Sequence, residues 1–416
     1  MDRGFFPSSY ILDSTLRQIL ASIKPLEADR VRRNNVINEF IAVVGCVESL
    51  RGATVEPFGS FVSNLYTKWG DLDISIELPN GSLVSSVGKR RKQNLLRDVA
   101  RALRRTGRGH NLQLIPNARV PLLIFQTSHP FISCDISISN LLGQIKSKIL
   151  LWITEIDERF RDMVLLIKEW AKAQHINDPK TGTLNSYSLC LLVIFHFQTC
   201  TPPILPPLKD IYAGNIVNDL TGMRSVVERR IQDTCTANIR RFRFIGFRQV
   251  NRSSLSELLI SFFEKFSTID VRAAGYAICT YTGQWEPIMS HDKWMQKPYK
   301  LFIEDPFEQP ENSARAVGTN QLIEISEAFQ RTYHLLSSAS LDRNFLIANL
   351  VRPNISSMLG GTGHHPQLAN SATTQNQHRM QHNLRLENRP TSSTTVQRPA
   401  GVYSPARRVQ RWRPSN

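Results

Sequence analysis

Three aspartates and a Gly-Ser turn carry the residue types and spacings with the clearest chemistry in this sequence. Val55 to Phe58 is a short extended segment running into the turn Gly59-Ser60, and Phe61 to Lys68 then reads as one or two helical turns before Trp69-Gly70 breaks them. Strand, turn and helix N-terminus in that order present backbone N–H groups to an anion. Gly59 permits close approach and Ser60 adds a hydroxyl, so a triphosphate fits. Just downstream, Asp71-Leu72-Asp73-Ile74-Ser75-Ile76 alternates, placing Asp71, Asp73 and Ser75 on one face and Leu72, Ile74 and Ile76 on the other. Neighbouring carboxylates repel and perturb each other's titration, and a strand tolerates them best around a divalent cation. Alone, the pair would more often be the solvated outer face of an edge strand. The turn upstream weighs against that, as does a third strand-borne acid, Asp135 in Phe131 to Ile138.

These groups need a sheet to hold them, and the surrounding patterns supply one. Residues 13–24 and 29–50 read as helices, the second with Val36, Ile37, Phe40, Ile41, Val44 and Val47 at mixed three and four spacing, while Arg30, Arg32 and Arg33 read as solvated charge. Pro79-Asn80-Gly81 makes a turn. From Lys89 to Arg108 nine Lys or Arg accompany the stripe Leu95, Leu96, Val99 and Leu103, which predicts an amphipathic helix with one cationic face. That face suits a nucleic-acid backbone, and Lys89 to Lys92 also suits a nuclear-localisation signal. Residues 110–115, 120–126 and 131–138 read as strands.

Beyond Asn140 the period becomes helical. Phe160 to Gln174 has a buried stripe of Met163, Leu166, Ile167 and Trp170, with Lys168 and Lys172 four apart on an adjacent face. The two ammonium groups either snorkel to water or share an anion. Asn185-Ser186-Tyr187 opens a helix whose run Leu189 to Phe197 is core, and Thr201 to Pro207 is a loop. The Arg-rich stretch to Arg248, with Phe242, Phe244 and Phe247, could bind single strands or simply bury its phenylalanines. Gln321 to Leu336 and Leu341 to Leu350 close the folded part. Residues 354–416, with eight Arg, no Lys and one Glu among Gln, Asn, Ser, Thr, Gly and Pro, read as a disordered basic tail.

At 416 residues with 41% hydrophobic content the chain can form more than one core, and its net charge of +16 makes a polyanion the expected partner. Six scattered cysteines show neither a zinc pattern nor a disulfide framework, and no apolar run is long enough for a membrane span. A soluble intracellular protein, in cytoplasm, nucleus or both, is expected.

The set Gly59, Ser60, Asp71, Asp73 and Asp135 resembles the nucleotidyltransferase superfamily that includes DNA polymerase β and the terminal RNA nucleotidyltransferases. The segments LLIKEWAKAQHIND, LNSYSL and FIEDPFEQPENSAR are similar to members with a poly(A)-polymerase-associated domain, and VEPFGSFVSNLYTKWGDLDISIEL with CDISISN looks most like plant enzymes that uridylate small RNAs lacking a 3′ methyl group. The resemblance implies an α+β chain: a polymerase β-like palm with N-terminal helices over 1–140, a mostly helical poly(A)-polymerase-associated domain over 141–353, and the tail over 354–416. It implies that Asp71, Asp73 and Asp135 hold Mg²⁺, with Mn²⁺ as the alternative, and that Gly59, Ser60, Lys168, Lys172 and Ser186 hold the triphosphate. Tyr187 would stack on the base, with Asn140 and Ser147 near base and ribose. Asp305 and Glu308 match the acidic positions of the nucleotide recognition motif. Glu311 stands where fungal and animal uridylyltransferases place a His, and Lys146 replaces their ribose-contacting Asn. The implied activity is template-independent addition of uridines from UTP to RNA 3′ ends, of small RNAs or fragments, promoting their turnover, with an Argonaute as a fitting partner. An ATP-using poly(A) polymerase and a non-catalytic RNA-binding scaffold are the alternatives.

Overall fold

The alternating stretches assemble into one five-stranded sheet. The computed structural model describes residues 8–79, 87–128, 131–244, 249–338 and 341–360. The expected turn at Asn80-Gly81, Phe247, Arg248 and the tail from residue 361 onward lie outside them.

Helices α1 (Ser8–Ile23) and α2 (Glu27–Gly45) precede strand β1 (Thr54–Phe58), the short helix α3 (Gly59–Val62) and strand β2 (Leu72–Glu77). Helix α4 (Lys89–Thr106) and strands β3 (His110–Ile115), β4 (Leu122–Gln126) and β5 (Ser133–Ile138) complete the palm. The strand order is β1-β2-β5-β4-β3, with β2 and β5 parallel and the other neighbours antiparallel. α2 and α4 cover one face, burying Phe40, Val44, Leu96, Val99 and Leu103 against Leu72, Ile74, Ile76, Cys134, Ile136 and Ile138. The inward residues of β2 are thus core, which turns the alternate positions, with Asp73, to the opposite face. The predicted cationic helix is α4, and Gly107 in the left-handed region (φ 66°) ends it.

Two local expectations are corrected. The helix after the Gly-Ser turn starts at Gly59 and stops at Val62, because Asn64 adopts a left-handed φ of 58° and the chain continues as turns to Gly70. Arg33 is buried, 2% exposed, and is not solvated charge. It falls on the α2 face of Val36, Ile37 and Phe40, and its guanidinium donates to the carbonyls of Lys68 (3.2 Å) and Gly70 (2.8 Å).

The remaining chain is mostly helical: α5 (Leu141–Thr154), α6 (Glu158–Ala173), α7 (Ser186–Thr199), α8 (Leu208–Ile211), α9 (Ile216–Asp219), α10 (Arg224–Phe244), α11 (Leu255–Phe266) and α12 (Ile269–Ala273). A small hairpin, β6 (Tyr276–Cys279) and β7 (Gln284–Pro287), is followed by α13 (Asp292–Met295), α14 (Thr319–Leu336), α15 (Arg343–Leu350) and α16 (Pro353–Met358). Trp170 anchors the core edge-on to Phe263 at 4.7 Å, beside Phe329 at 4.8 Å, while its indole N–H donates to Thr332. α1, grouped with the palm on sequence grounds, buries Leu12, Leu16, Ile19, Leu20 and Ile23 in this helical core. α16 carries the folded part past the boundary expected at 353, because Ile355 is fully buried. In α10 the apolar stripe is Val227, Ile231, Cys235 and Ile239, leaving Arg229, Arg230, Arg240, Arg241 and Phe244 exposed. All six cysteines are free, and among the described residues no helix is long and apolar enough to cross a membrane.

Candidate active site

The three acids meet because of strand register. Asp73 on β2 is paired with Asp135 on parallel β5, and on its other side with Phe58, the residue before Gly59. Asp71 immediately precedes β2. Gly59 has φ 66°, and a Cβ there would fall 2.0 Å from Asp73 Oδ2, so backbone conformation and space both require glycine. The Ser60 N–H bonds the Asp73 carboxylate. Burial, then the charges of Asp135 and Asp71, push the Asp73 carboxyl up to about 7; burial and Asp71 push Asp135 up to about 6. These carboxylates are short of positive charge.

Opposite them stand the lysines of α6. Lys168 Nζ donates to the carbonyl of Leu65 at 2.9 Å, and burial followed by repulsion from Lys172 lowers it to about 8. Lys172 is lowered by burial and then by Arg352. Neither lysine simply snorkels to water. With Ser60, Ser147 and Ser186 they line a cavity of about 380 Å³ that also holds Asp71, Asp73, Lys146 and Tyr187. Ser147 Oγ accepts from the Gly59 N–H (2.7 Å) and donates to the Gly143 carbonyl (2.6 Å), tying α5 to the turn. Ser186 starts α7 and donates to Asn177, while Asn185 caps that helix through the Ser188 N–H.

The other end of the cavity is closed by an acidic turn. Asp305 is 6% exposed and accepts from Tyr187 Oη at 3.1 Å. Lys146 lies between Asp305 and Glu308, 2.9 Å from the latter, with its ammonium 5.4 Å from the Tyr187 ring centre. Arg119, from the β3–β4 connection, reaches across to Glu308 and to Glu311 (3.3 Å), and Arg315 also pairs with Glu311 at 3.6 Å. The Glu311 carboxylate is therefore compensated from two sides.

The structure thus gathers Gly59, Ser60, Asp71, Asp73, Ser147, Lys168, Lys172, Ser186 and Tyr187 around one cavity, with Asp135 beside Asp73 in the sheet and Asp305, Glu308 and Glu311 behind Tyr187 and Lys146. Asn140 is placed differently. Its side chain accepts from the Gly143 N–H as the N-cap of α5, and it is not among the residues lining the cavity. Two participants escape a sequence reading. Arg33 had a signal, its place on the apolar face of α2; Arg119 had none, since a lone Arg in a turn does not say which charge it meets.

A family model described as poly(A) RNA polymerase, mitochondrial-like, central palm domain matches residues 12–155. Protein HESO1 of Arabidopsis thaliana is 55% identical over 348 residues, 84% of this chain and 68% of that protein. The chain belongs to the terminal RNA nucleotidyltransferases. Terminal uridylyltransferase cid1 of Schizosaccharomyces pombe is 28% identical over 69% of this chain and 70% of its own, and the mitochondrial poly(A) RNA polymerase of Drosophila melanogaster is 27% identical over 71% of this chain and half of its own. Among solved structures, the Cid1 poly(U) polymerase with MgGTP superposes with a TM-score of 0.63 at 22% identity, over 83% of this chain and 98% of that one. The crystal structure of mtPAP in complex with UTP gives 0.61 at 20% identity, over 86% of this chain and 76% of that one. The fold is the polymerase β-like one, as the sequence implied.

Terminal RNA nucleotidyltransferases of this fold use divalent metal, and the donor set here fits one. Carboxylate oxygens are hard ligands, and their shared excess of negative charge is what a divalent cation offsets. As the side chains stand, no three His, Cys, Asp or Glu among the described residues are gathered closely enough to enclose an ion.

Proposed function

We propose that this terminal RNA nucleotidyltransferase takes UTP and adds uridines without a template to RNA 3′ ends, small RNAs with an unmethylated terminal ribose being the substrates, so that they are turned over. The observation that carries the chemistry is the in-register pair Asp73–Asp135 beside the Gly59-Ser60 turn, facing Lys168 and Lys172 over one cavity. The amides of that turn, the two lysines and Ser186 bind the triphosphate and set its α-phosphorus beside the acids. Asp71, Asp73 and Asp135 would hold Mg²⁺, with Mn²⁺ as the alternative. When bound, the cation lowers the pKa of the RNA 3′-hydroxyl and compensates the leaving pyrophosphate. In the transfer the 3′-oxygen bonds to the α-phosphorus as the bond to the β-phosphate oxygen breaks, and the chain's residues contribute position and charge compensation.

Uridine is favoured by two things. A relative similar over most of this chain is named a terminal uridylyltransferase. Glu311 also presents no bare carboxylate to a base, since Arg119 and Arg315 hold it. Tyr187 offers a ring to the base, with Lys146 beside it. An Argonaute carrying the small RNA is the partner this reading implies, in cytoplasm, nucleus or both; the likeness to plant enzymes supports it.

The test is extension of a 3′-hydroxyl RNA oligonucleotide with Mg²⁺ and each NTP separately, with Asp71→Ala/Asp73→Ala as control. Uridine addition that the double variant loses is expected, together with poor extension of the same RNA carrying a terminal 2′-O-methyl. Adenosine preference would make it a poly(A) polymerase, as several relatives are named. No addition of any nucleotide would leave an RNA-binding scaffold.

A further inference from the structure

One aromatic residue beside the catalytic acids takes no part in the site described above. Trp69 lies two residues before Asp71 and is 36% exposed, outside the residues lining the nucleotide cavity. The backbone around it is held firmly. Arg33 donates to the carbonyls on either side of it, Lys68 and Gly70, while the Lys68 N–H donates to Ile23 (3.1 Å) and the Gly70 N–H to Thr67 (2.7 Å). Placing Asp71 explains the pinned backbone, but it does not explain an indole at the surface, where any polar side chain would serve.

Two cations attend the ring. Lys68 Nζ lies 4.4 Å from its centre and the Arg352 guanidinium 6.0 Å. Arg352 is fixed in turn, because Glu169, 1% exposed, grips its Nε and Nη2 at 2.8 Å each and its backbone N–H at 3.1 Å. A part-exposed indole with cations over its ring is the kind of surface that holds a single-stranded nucleic acid without reading its sequence. A stacking base would take the place of the Lys68 ammonium over the ring, and the displaced ammonium, with the fixed Arg352 beside it, would meet the phosphates.

We propose that Trp69, flanked by Lys68 and Arg352, is the stacking platform for the terminal base of the RNA whose 3′-hydroxyl is extended. This rests on the reading that the cleft elongates an RNA 3′ end. The triphosphate takes the cavity, so the second reactant must reach the acids from outside it, and Trp69 stands outside it on the segment that carries Asp71. A platform of this kind explains tolerance of the terminal base, since every base has a π-face.

The test compares wild type, Trp69→Ala and Trp69→Phe by steady-state extension, varying RNA and UTP in turn, and by the fluorescence of an RNA carrying 2-aminopurine at its 3′ end. For Trp69→Ala the RNA KM should rise about 5- to 100-fold, the range of one lost base stack, with the UTP KM within about twofold. Trp69→Phe should recover most of the loss, and 2-aminopurine quenching seen with wild type should vanish in Trp69→Ala. An unchanged RNA KM with quenching retained, while wild type extends RNA normally, would overturn the platform alone. An equal rise in both KM values would assign Trp69 to general positioning and overturn it too. A wild-type protein that extends no RNA would overturn both the platform and the reading beneath it.

Discussion

The two ends of the cleft handle charge in opposite ways. At the sheet end, Asp71, Asp73 and Asp135 repel one another with no cation paired to them among the described residues, and two of them are pushed up to about 7 and about 6. At the acidic-turn end, Asp305, Glu308 and Glu311 are as numerous but are met by Lys146, Arg119 and Arg315. The first arrangement has an electrostatic deficit that a bound ion removes. The second is neutralised within the protein, which fixes its groups in place. One end is built to receive charge and the other to present shape.

The comparison breaks most visibly at Asp73. Asp73→Asn should lower kcat by about 10³-fold or more, the loss of a cation ligand worth several kcal/mol, with RNA affinity within about twofold. Without divalent metal the same variant should melt at a higher temperature than wild type, because it relieves like-charge repulsion and keeps an acceptor for the Ser60 N–H. A lower melting temperature would mean the acids are not in deficit. Lys146→Met should do the reverse, leaving the buried Asp305 without a cation and Glu308 with Arg119 alone, and costing about 3–5 kcal/mol in denaturant unfolding. A melting curve like wild type's would show that the acidic turn is not neutralised through Lys146.

Glu304 sharpens the contrast, being the acid of the second end that no cation meets among the described residues. Burial pushes it up to about 7 from its ordinary 4.5, and the Cys279 thiol donates to it at 2.8 Å. With the folded-state value above the unfolded one, its stabilising contribution is full below about pH 4.5 and declines as pH rises to about 7, staying lost above. Glu304→Gln should therefore be more stable than wild type at pH 8 by up to about 3 kcal/mol and gain little at pH 4. Unfolding in urea at both pH values checks this. The smallest effect is expected at Arg119, whose side chain is 42% exposed, so its ion pairs are worth about 1 kcal/mol or less. Arg119→Ala should change the UTP-to-ATP ratio of kcat/KM by about fivefold or less, toward ATP. A much larger shift would make the Glu311 charge the main determinant of base choice.

Much of the sheet end was determined by sequence alone. Period-two alternation puts Asp71 and Asp73 on one face, the turn before them needs a glycine, and a four-residue step places Lys168 and Lys172 together; all of these are local geometry. What joined them was tertiary. Asp135 becomes the partner of Asp73 only when β5 pairs with β2 in parallel and in one register. The acidic turn was recognisable by its residues, but whether Glu311 offers a free carboxylate depended on Arg119, which folding brings to it. Asn140 shows the converse, since its side chain is taken by a helix cap. Local spacing decides which way a side chain leaves the backbone, whereas its charge state and its partner depend on neighbours distant in sequence. Those neighbours are set when the sheet and the helical core close.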